Sequence, residues 1–156
     1  MATKVDILIA SDHAGFELKK VLYEYLKGKG YSIVDYGPHE FDPEDDYPDY
    51  VVPLAQEISQ NTSNKNKGIV IGASGQGEAI AANKVKRVYA VLYYGGPLDI
   101  VELSRRHNHA NVLSLGARFM DFEIAKKAID IWLNTSFEGG RHARRVEKIE
   151  NLEKSL

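Results

Sequence analysis

The 156-residue sequence contains no cysteine, which excludes disulfides, thiolate metal sites and a thiol nucleophile. It has no excess of either charge: 20 Lys plus Arg stand against 22 Asp plus Glu, a formal net charge of −2. That balance lacks the basic footprint of a dedicated nucleic-acid binder. It has no apolar run approaching the roughly 20 residues needed to cross a bilayer. In Met1-Ala2-Thr3-Lys4-Val5-Asp6 a polar residue comes too early for the apolar core of a signal peptide. The expectation is a cytoplasmic protein with neither membrane nor nucleic acid as partner. Internal repeats, low-complexity tracts and interdomain linkers are missing too. What is there is 44% hydrophobic and 27% charged, a globular composition. A chain this long buries roughly 70% of the surface its unfolded form exposes, so one domain over 1–156 is predicted.

Short β-rich apolar runs at 5–10, 31–36, 68–71, 88–93 and 111–115 alternate with helical stretches. Each run reads as near-continuously apolar, as in a parallel sheet covered on both faces. The first helix, 16–27, carries Leu18, Val21, Leu22, Tyr25 and Leu26 at helical spacing and stops at Gly28 and Gly30, suitable helix ends. Further helices are predicted at 51–60, 77–85, 98–106 and 122–133. The βα unit repeated five times implies an α/β fold, an open doubly wound sheet of five parallel strands. Two segments stand apart. Residues 37–49 form a loop rich in acidic residues and proline; it reads as a solvated surface loop, although long loops at sheet edges often hold sites. In the tail, Val146, Ile149, Leu152 and Leu156 make a narrow apolar stripe. That helix, about 141–155, either folds back on its own domain or packs on a second chain.

Ligands of open α/β sheets bind beyond the carboxyl ends of the strands. After the first strand comes Ser11-Asp12-His13-Ala14-Gly15, a carboxylate and an imidazole at the sheet's mouth, where Asp12 also suits a helix cap. After the third comes Gly72-Ala73-Ser74-Gly75-Gln76-Gly77-Glu78, leading into a helix. Small residues admit a ligand close to the backbone, and a helix N-terminus offers N–H groups to an anion; the same glycines also serve an ordinary turn. A dinucleotide fingerprint fails, because from Gly75 the third glycine position holds Ile80 and the loop follows the wrong strand. A P-loop fails because Glu78 stands where Lys is needed. Glu78 either complements the helix dipole or, at a ligand cleft, acts as a general base.

The helix before the fifth strand ends in Arg105-Arg106-His107-Asn108-His109. Without cysteine or a neighbouring carboxylate, the two histidines predict no metal site. They read as surface or capping residues, or His107-Asn108 is a polar pair aimed into a cleft. Gly116-Ala117-Arg118 follows the fifth strand. Arg141 and Arg145 are spaced i, i+4 on one helical face, which suits a phosphate or a solvated helix end bridged to Glu138 or Glu147. A nucleic-acid patch ranks below both, for want of interleaved aromatics.

Taken in order, these segments resemble the ribose-5-phosphate isomerase B family, with its related galactose-6-phosphate isomerase subunits. The resemblance covers nearly the whole chain. It rests on Ser11-Asp12-His13-Ala14-Gly15, Asp46-Tyr47-Pro48-Asp49-Tyr50, Ile80-Ala81-Ala82-Asn83-Lys84, Arg106-His107-Asn108 through Leu113, Gly116-Ala117-Arg118 and Phe137-Glu138-Gly139-Gly140-Arg141-His142. It implies a Rossmann-like αβα sandwich, a homodimer or homotetramer with active sites shared between two chains, and a tail that crosses to the partner. Many members carry a cysteine base at the position of Gly72. This chain resembles the branch with Gly there and Glu at the position of Glu78, so Glu78 is the expected base, its carboxyl raised by desolvation.

The resemblance implies an aldose–ketose isomerase that needs no metal or redox cofactor. His107, assisted by Asp12, opens the sugar ring. Glu78 moves the proton between C2 and C1 through an enediolate, and Ser74 relays a proton between the two oxygens. The backbone N–H groups of Ala73, Ser74, Gly75, Gln76 and Gly77 hold the oxyanion. His13, Arg141 and Arg145 bind the phosphate, while Arg118 and Asn108 position the sugar. The physiological substrate is ribose 5-phosphate or another phosphosugar (allose 6-phosphate, galactose 6-phosphate or a tetrose phosphate), with Tyr47, Tyr94 and the 37–49 loop shaping the pocket. Two other classes stay open: a nucleotide-binding oxidoreductase, against which the missing glycine tells, and a non-catalytic sugar-phosphate-binding protein.

Overall fold

The computed structural model describes residues 6–61, 63 and 65–156; Val5 and the residues before it, read above for a strand start and a signal segment, lie outside this range. Five strands, β1 (Asp6–Ser11), β2 (Ser32–Asp35), β3 (Lys67–Gly72), β4 (Ala90–Tyr93) and β5 (Val112–Gly116), alternate with helices. These are α1 (Phe16–Gly28), α2 (Pro48–Gln60), α3 (Gln76–Asn83), α4 (Asp99–Arg106), α5 (Phe122–Leu133) and α6 (Arg141–Lys154). All strand pairs are parallel, in the spatial order β2-β1-β3-β5-β4.

Right-handed crossovers decide which face each helix covers. The chain steps outward from β1 to β2, reverses past β1 to β3, continues to the edge at β4, and turns back to insert β5. Each reversal changes the face. Accordingly Leu22, Leu26, Val101, Ile129 and Trp132 from α1, α4 and α5 pack with Ile7, Ile9, Ile69, Ile71, Leu113 and Leu115. On the opposite face Val51, Leu54 and Ile58 of α2 and Ala82 of α3 pack with Leu8, Ala10, Val70 and Val112. Successive residues of β1 and β3 thus serve opposite cores, the period-two geometry of a strand.

Continuous burial holds for the central strands β3 and β5 and for β1 beyond its first residue. It does not hold for β2, where exposed and half-buried residues alternate and Val34 is 50% exposed. The cause is position: β2 is an edge strand with one neighbour. α2 starts earlier than its apolar pattern indicates, because Pro48 sits in its first turn, where a fixed φ and a missing N–H cost nothing.

Within the chain, the tail forms α6 and meets its own domain along part of its length. α6 lies across the amino ends of the strands, where Glu153 Oε2 accepts the Arg87 N–H at 3.0 Å just ahead of β4. It buries His142 and Val146 but leaves Ile149 49% and Leu152 60% exposed. Among the described residues, no helix is long and apolar enough to cross a membrane.

Candidate active site

The chain reverses direction between β1 and β3, and beyond that point lies the crevice where ligands of this fold class bind. Gly72 ends β3 opposite Gly116, the end of β5. Gly75 then takes a left-handed φ of +79° as the N-cap of α3. Its carbonyl accepts the Ser114 hydroxyl from β5 at 2.6 Å. A Cβ at residue 75 would press on Leu92 and the Leu115 carbonyl. The backbone here needs glycine for both its sign of φ and its closeness.

That turn aims Glu78, in the first turn of α3, back beneath the loop. Its carboxylate fills the space in which a side chain at Gly72 would begin, and the residue is 3% exposed. Burial raises the carboxyl above the usual carboxylate range; the nearby Asp12 charge adds to the rise and the Glu78 backbone N–H opposes it. Of the expected N–H cradle, the Gln76 N–H is already taken by the Ser74 hydroxyl oxygen at 3.2 Å. The Arg118 N–H donates to the Ala73 carbonyl at 3.0 Å, joining the ends of β3 and β5 at the mouth.

Asp12 is a cap, as one alternative had it. Its Oδ1 accepts the N–H groups of Ala14 and Gly15 at 2.9 and 3.2 Å, opening the 3-10 turn His13–Gly15. Its N–H reaches the Ile71 carbonyl at 3.2 Å, so the same residue stands at the crevice beside Glu78. His13 is held by Asp45, which the composition of the 37–49 loop had placed in solvent. Asp45 Oδ1 lies 2.7 Å from His13 Nδ1 and accepts the His13 backbone N–H at 3.0 Å. The loop is anchored by the buried Lys19, whose ammonium donates to Asp35 at 2.8 Å and to the Pro38 carbonyl at 2.6 Å. At its far end the Tyr47 phenol packs where a Cβ of Gly77 would stand. Tyr47 therefore lies against the glycine loop, while Tyr94 packs on Phe119 at 5.8 Å between ring centroids.

His107, Asn108, Arg141 and Arg145 lie elsewhere. His107 is the C-cap of α4, just ahead of β5 and therefore at the amino end of the sheet. It stacks on His142 with centroids 4.0 Å and planes 9° apart, and its Nε2 is 3.8 Å from Glu138. Arg105 clasps this corner by donating to the carbonyls of Ala110 and Thr135. Arg141 and Arg145 are exposed on α6, at the same end. Gly72, beside Glu78, is level with the last residue of β5 and His107 precedes its first. The strand alone spans roughly 16 Å at 3.3 Å per residue. One chain therefore brings together Asp12, His13, Ala73, Ser74, Gly75, Gln76, Gly77, Glu78 and Arg118. It does not bring His107, Asn108, Arg141 or Arg145 to them.

Two groups of potential metal ligands occur among the described residues: His107 with Glu138 and His142, and Asp12 with His13 and Asp45. In the first, the two rings lie in nearly parallel planes, so their in-plane lone pairs do not cross at one point. In the second, His13 Nδ1 is engaged by Asp45. His109 turns away from His107 and stacks on Phe137 at 4.4 Å.

Three residues of the two sites went unread in the sequence: Asp45, Ser114 and His142. Ser114 left a signal, being a hydroxyl inside an otherwise apolar strand, where only a hydrogen-bonded polar group is tolerated. His142 stood in a quoted motif without an assigned task.

The family model described as ribose/galactose isomerase matches residues 7–149. A probable ribose-5-phosphate isomerase B of Mycoplasma genitalium is 46% identical over 149 residues, covering 96% of each chain. The ribose-5-phosphate isomerase B of Escherichia coli is 37% identical over 147 residues, covering 94% of this chain and 95% of its own. Among solved structures, the Mycoplasma genitalium enzyme with bound ribulose-5-phosphate superposes with a TM-score of 0.92 at 45% identity, covering 97% of each chain. Fold, site loops and family model agree over nearly the full length, and the chain belongs to the ribose/galactose isomerase family.

Proposed function

We propose that this chain interconverts ribose 5-phosphate and ribulose 5-phosphate by proton transfer through an enediolate. The observation that carries this reading is the buried Glu78 carboxylate, seated in the side-chain space of Gly72 under a glycine loop. A carboxylate raised by desolvation is matched to abstracting a proton from carbon near neutral pH. The relatives named ribose-5-phosphate isomerase B and the neighbour with bound ribulose-5-phosphate support the choice of substrate.

Glu78 takes the proton from C2 of the open aldose and returns one to C1. The developing oxyanion is met by backbone N–H groups of residues 73–77, a contribution commonly worth several kcal/mol. Gln76 joins when the Ser74 hydroxyl rotates away to relay a proton between the two oxygens. His13 faces the phosphate and Arg118 the sugar from the same chain. His107, which opens the ring with help from Asp12, Asn108, which positions the sugar, and Arg141 and Arg145, which bind the phosphate with His13, come from a second copy. Their placement at the opposite end of the sheet supports this division. The single domain, 1–156, then docks through α6, whose exposed Ile149 and Leu152 supply an apolar contact. No metal or redox group enters the scheme. Its place is the cytoplasm, where phosphorylated sugars are kept by their charge.

The test is interconversion of the two pentose phosphates with chelator present, for wild type and Glu78→Gln. Turnover that collapses in the variant supports both reaction and base. Equal turnover in both removes Glu78 from the mechanism. Turnover of a hexose or tetrose phosphate alone reassigns the substrate.

A further inference from the structure

We propose that Asp45 is a positioning residue for the substrate phosphate, acting through His13. This rests on the isomerase reading above, in which His13 faces that phosphate.

Asp45 comes from the acidic loop between β2 and α2, yet its side chain is 3% exposed, against 30% for His13. One oxygen receives two hydrogen bonds from a single residue, the His13 ring at 2.7 Å and its backbone N–H at 3.0 Å. The other oxygen is buried without a protein partner. A carboxylate buried in this way is costly unless a cation opposes it, and the ion-pair partner found for it among the described residues is His13. The loop cannot swing out freely: Lys19 clamps its start to Asp35 and Pro38, and Phe41 packs edge-on against the rings of Phe16 and His13 at 5.9 and 6.5 Å.

The chemistry follows from which ring nitrogen is used. With Nδ1–H given to Asp45, a neutral His13 turns a bare Nε2 lone pair outward, which repels a phosphate oxygen. Only the imidazolium offers Nε2–H, a charge-assisted donor. Asp45 favours that form: its hydrogen bond is the largest influence raising the His13 pKa. The charges of Asp12 and Asp45 add to the rise, while burial and the Arg118 guanidinium oppose it. The His13 share of the phosphate affinity is therefore present while the ring is protonated and is lost as pH climbs through its raised pKa.

The experiment measures KM and kcat for ribose 5-phosphate between pH 6.5 and 9 in wild type and Asp45→Asn, with the His13 ring titrated by NMR in both. The expected result is a KM raised about tenfold at pH 7.5, the loss of one hydrogen bond to a charged group, with kcat within about twofold. The rise of KM with pH and the NMR titration should both move to lower pH. Superimposable KM–pH curves, or kcat falling with the curve unmoved, would reduce Asp45 to a loop anchor and overturn the proposal. If wild type does not turn over, the isomerase reading fails instead. Inorganic phosphate binding, followed at the His13 ring, then decides, and equal affinity in both proteins overturns the Asp45 role. Should Asp45→Asn not fold, His13→Gln is measured in its place; a KM that still rises with pH over the same range overturns the assignment.

Discussion

The Glu78 carboxylate occupies the volume in which a side chain at position 72 would start, so the two positions accept one functional group between them. Gly72→Ala adds a single methyl to a fully buried strand end, and that methyl must displace the carboxylate. Misplacing a reacting group by about 1 Å costs on the order of 100-fold in rate. Turnover of Gly72→Ala should fall by about that factor while the thermal transition stays cooperative. Activity within threefold of wild type would mean that Glu78 works from another position.

The pH dependence of activity and of stability should run in opposite directions. As base, Glu78 must be ionised, so kcat/KM should fall on acidification with an acidic limb above the ordinary carboxylate range. Its folded pKa is raised, mainly by burial, so the folded chain holds this proton more tightly than the unfolded one. Stability is therefore lost as pH rises through the interval from the unfolded to the folded pKa. Glu78→Gln, inactive, should melt higher than wild type at pH 8, with the difference shrinking toward pH 4. Melting curves across pH check the sign.

Mixing two dead proteins should restore turnover. In Glu78→Gln and His107→Asn the lesions lie at opposite ends of the sheet. A hybrid pair of a two-fold dimer contains one doubly altered site and one intact site, so random exchange recovers about a quarter of wild-type activity. Subunits unfolded together and refolded as a mixture, then assayed, provide the measurement. A mixture as inactive as its components would put both residues in one chain's site.

Ser114→Ala tests the support of the glycine loop. It deletes the hydroxyl that donates to the Gly75 carbonyl and leaves that oxygen with the Ala79 N–H alone, costing about 0.5–1.5 kcal/mol. Because Gly75 sets the direction of α3, kcat should drop more than KM rises. Chemical denaturation and steady-state kinetics on the same sample separate the two effects.

Much of this architecture could be read from residue order. The inner strands β1, β3 and β5 are legible because burial on both faces demands unbroken apolar runs, and the sites follow from what comes immediately after them. The edge strand β2 misled in detail, since a strand with one neighbour needs an apolar side chain only at alternate positions. Asp45 was illegible. Its loop has the composition of a solvated one, and only the long-range clamp from Lys19, sixteen residues before Asp35, folds it over His13. The separation of Glu78 from His107 was implicit in their order, one following a strand and the other preceding one. Turning that order into opposite ends of a molecule requires knowing that every strand runs the same way.

That parallel sense has a consequence for assembly. If each carboxyl-end crevice is completed by the amino-end corner of another copy, a closed pair must set its two sheets head to foot across the dyad. Two identical half-sites then form at once, one on either side of the axis. Any arrangement with the sheets aligned would leave one crevice open and one corner unused, and would go on recruiting copies into a ring or a filament. The polarity of five strands thus determines whether the functional unit is finite.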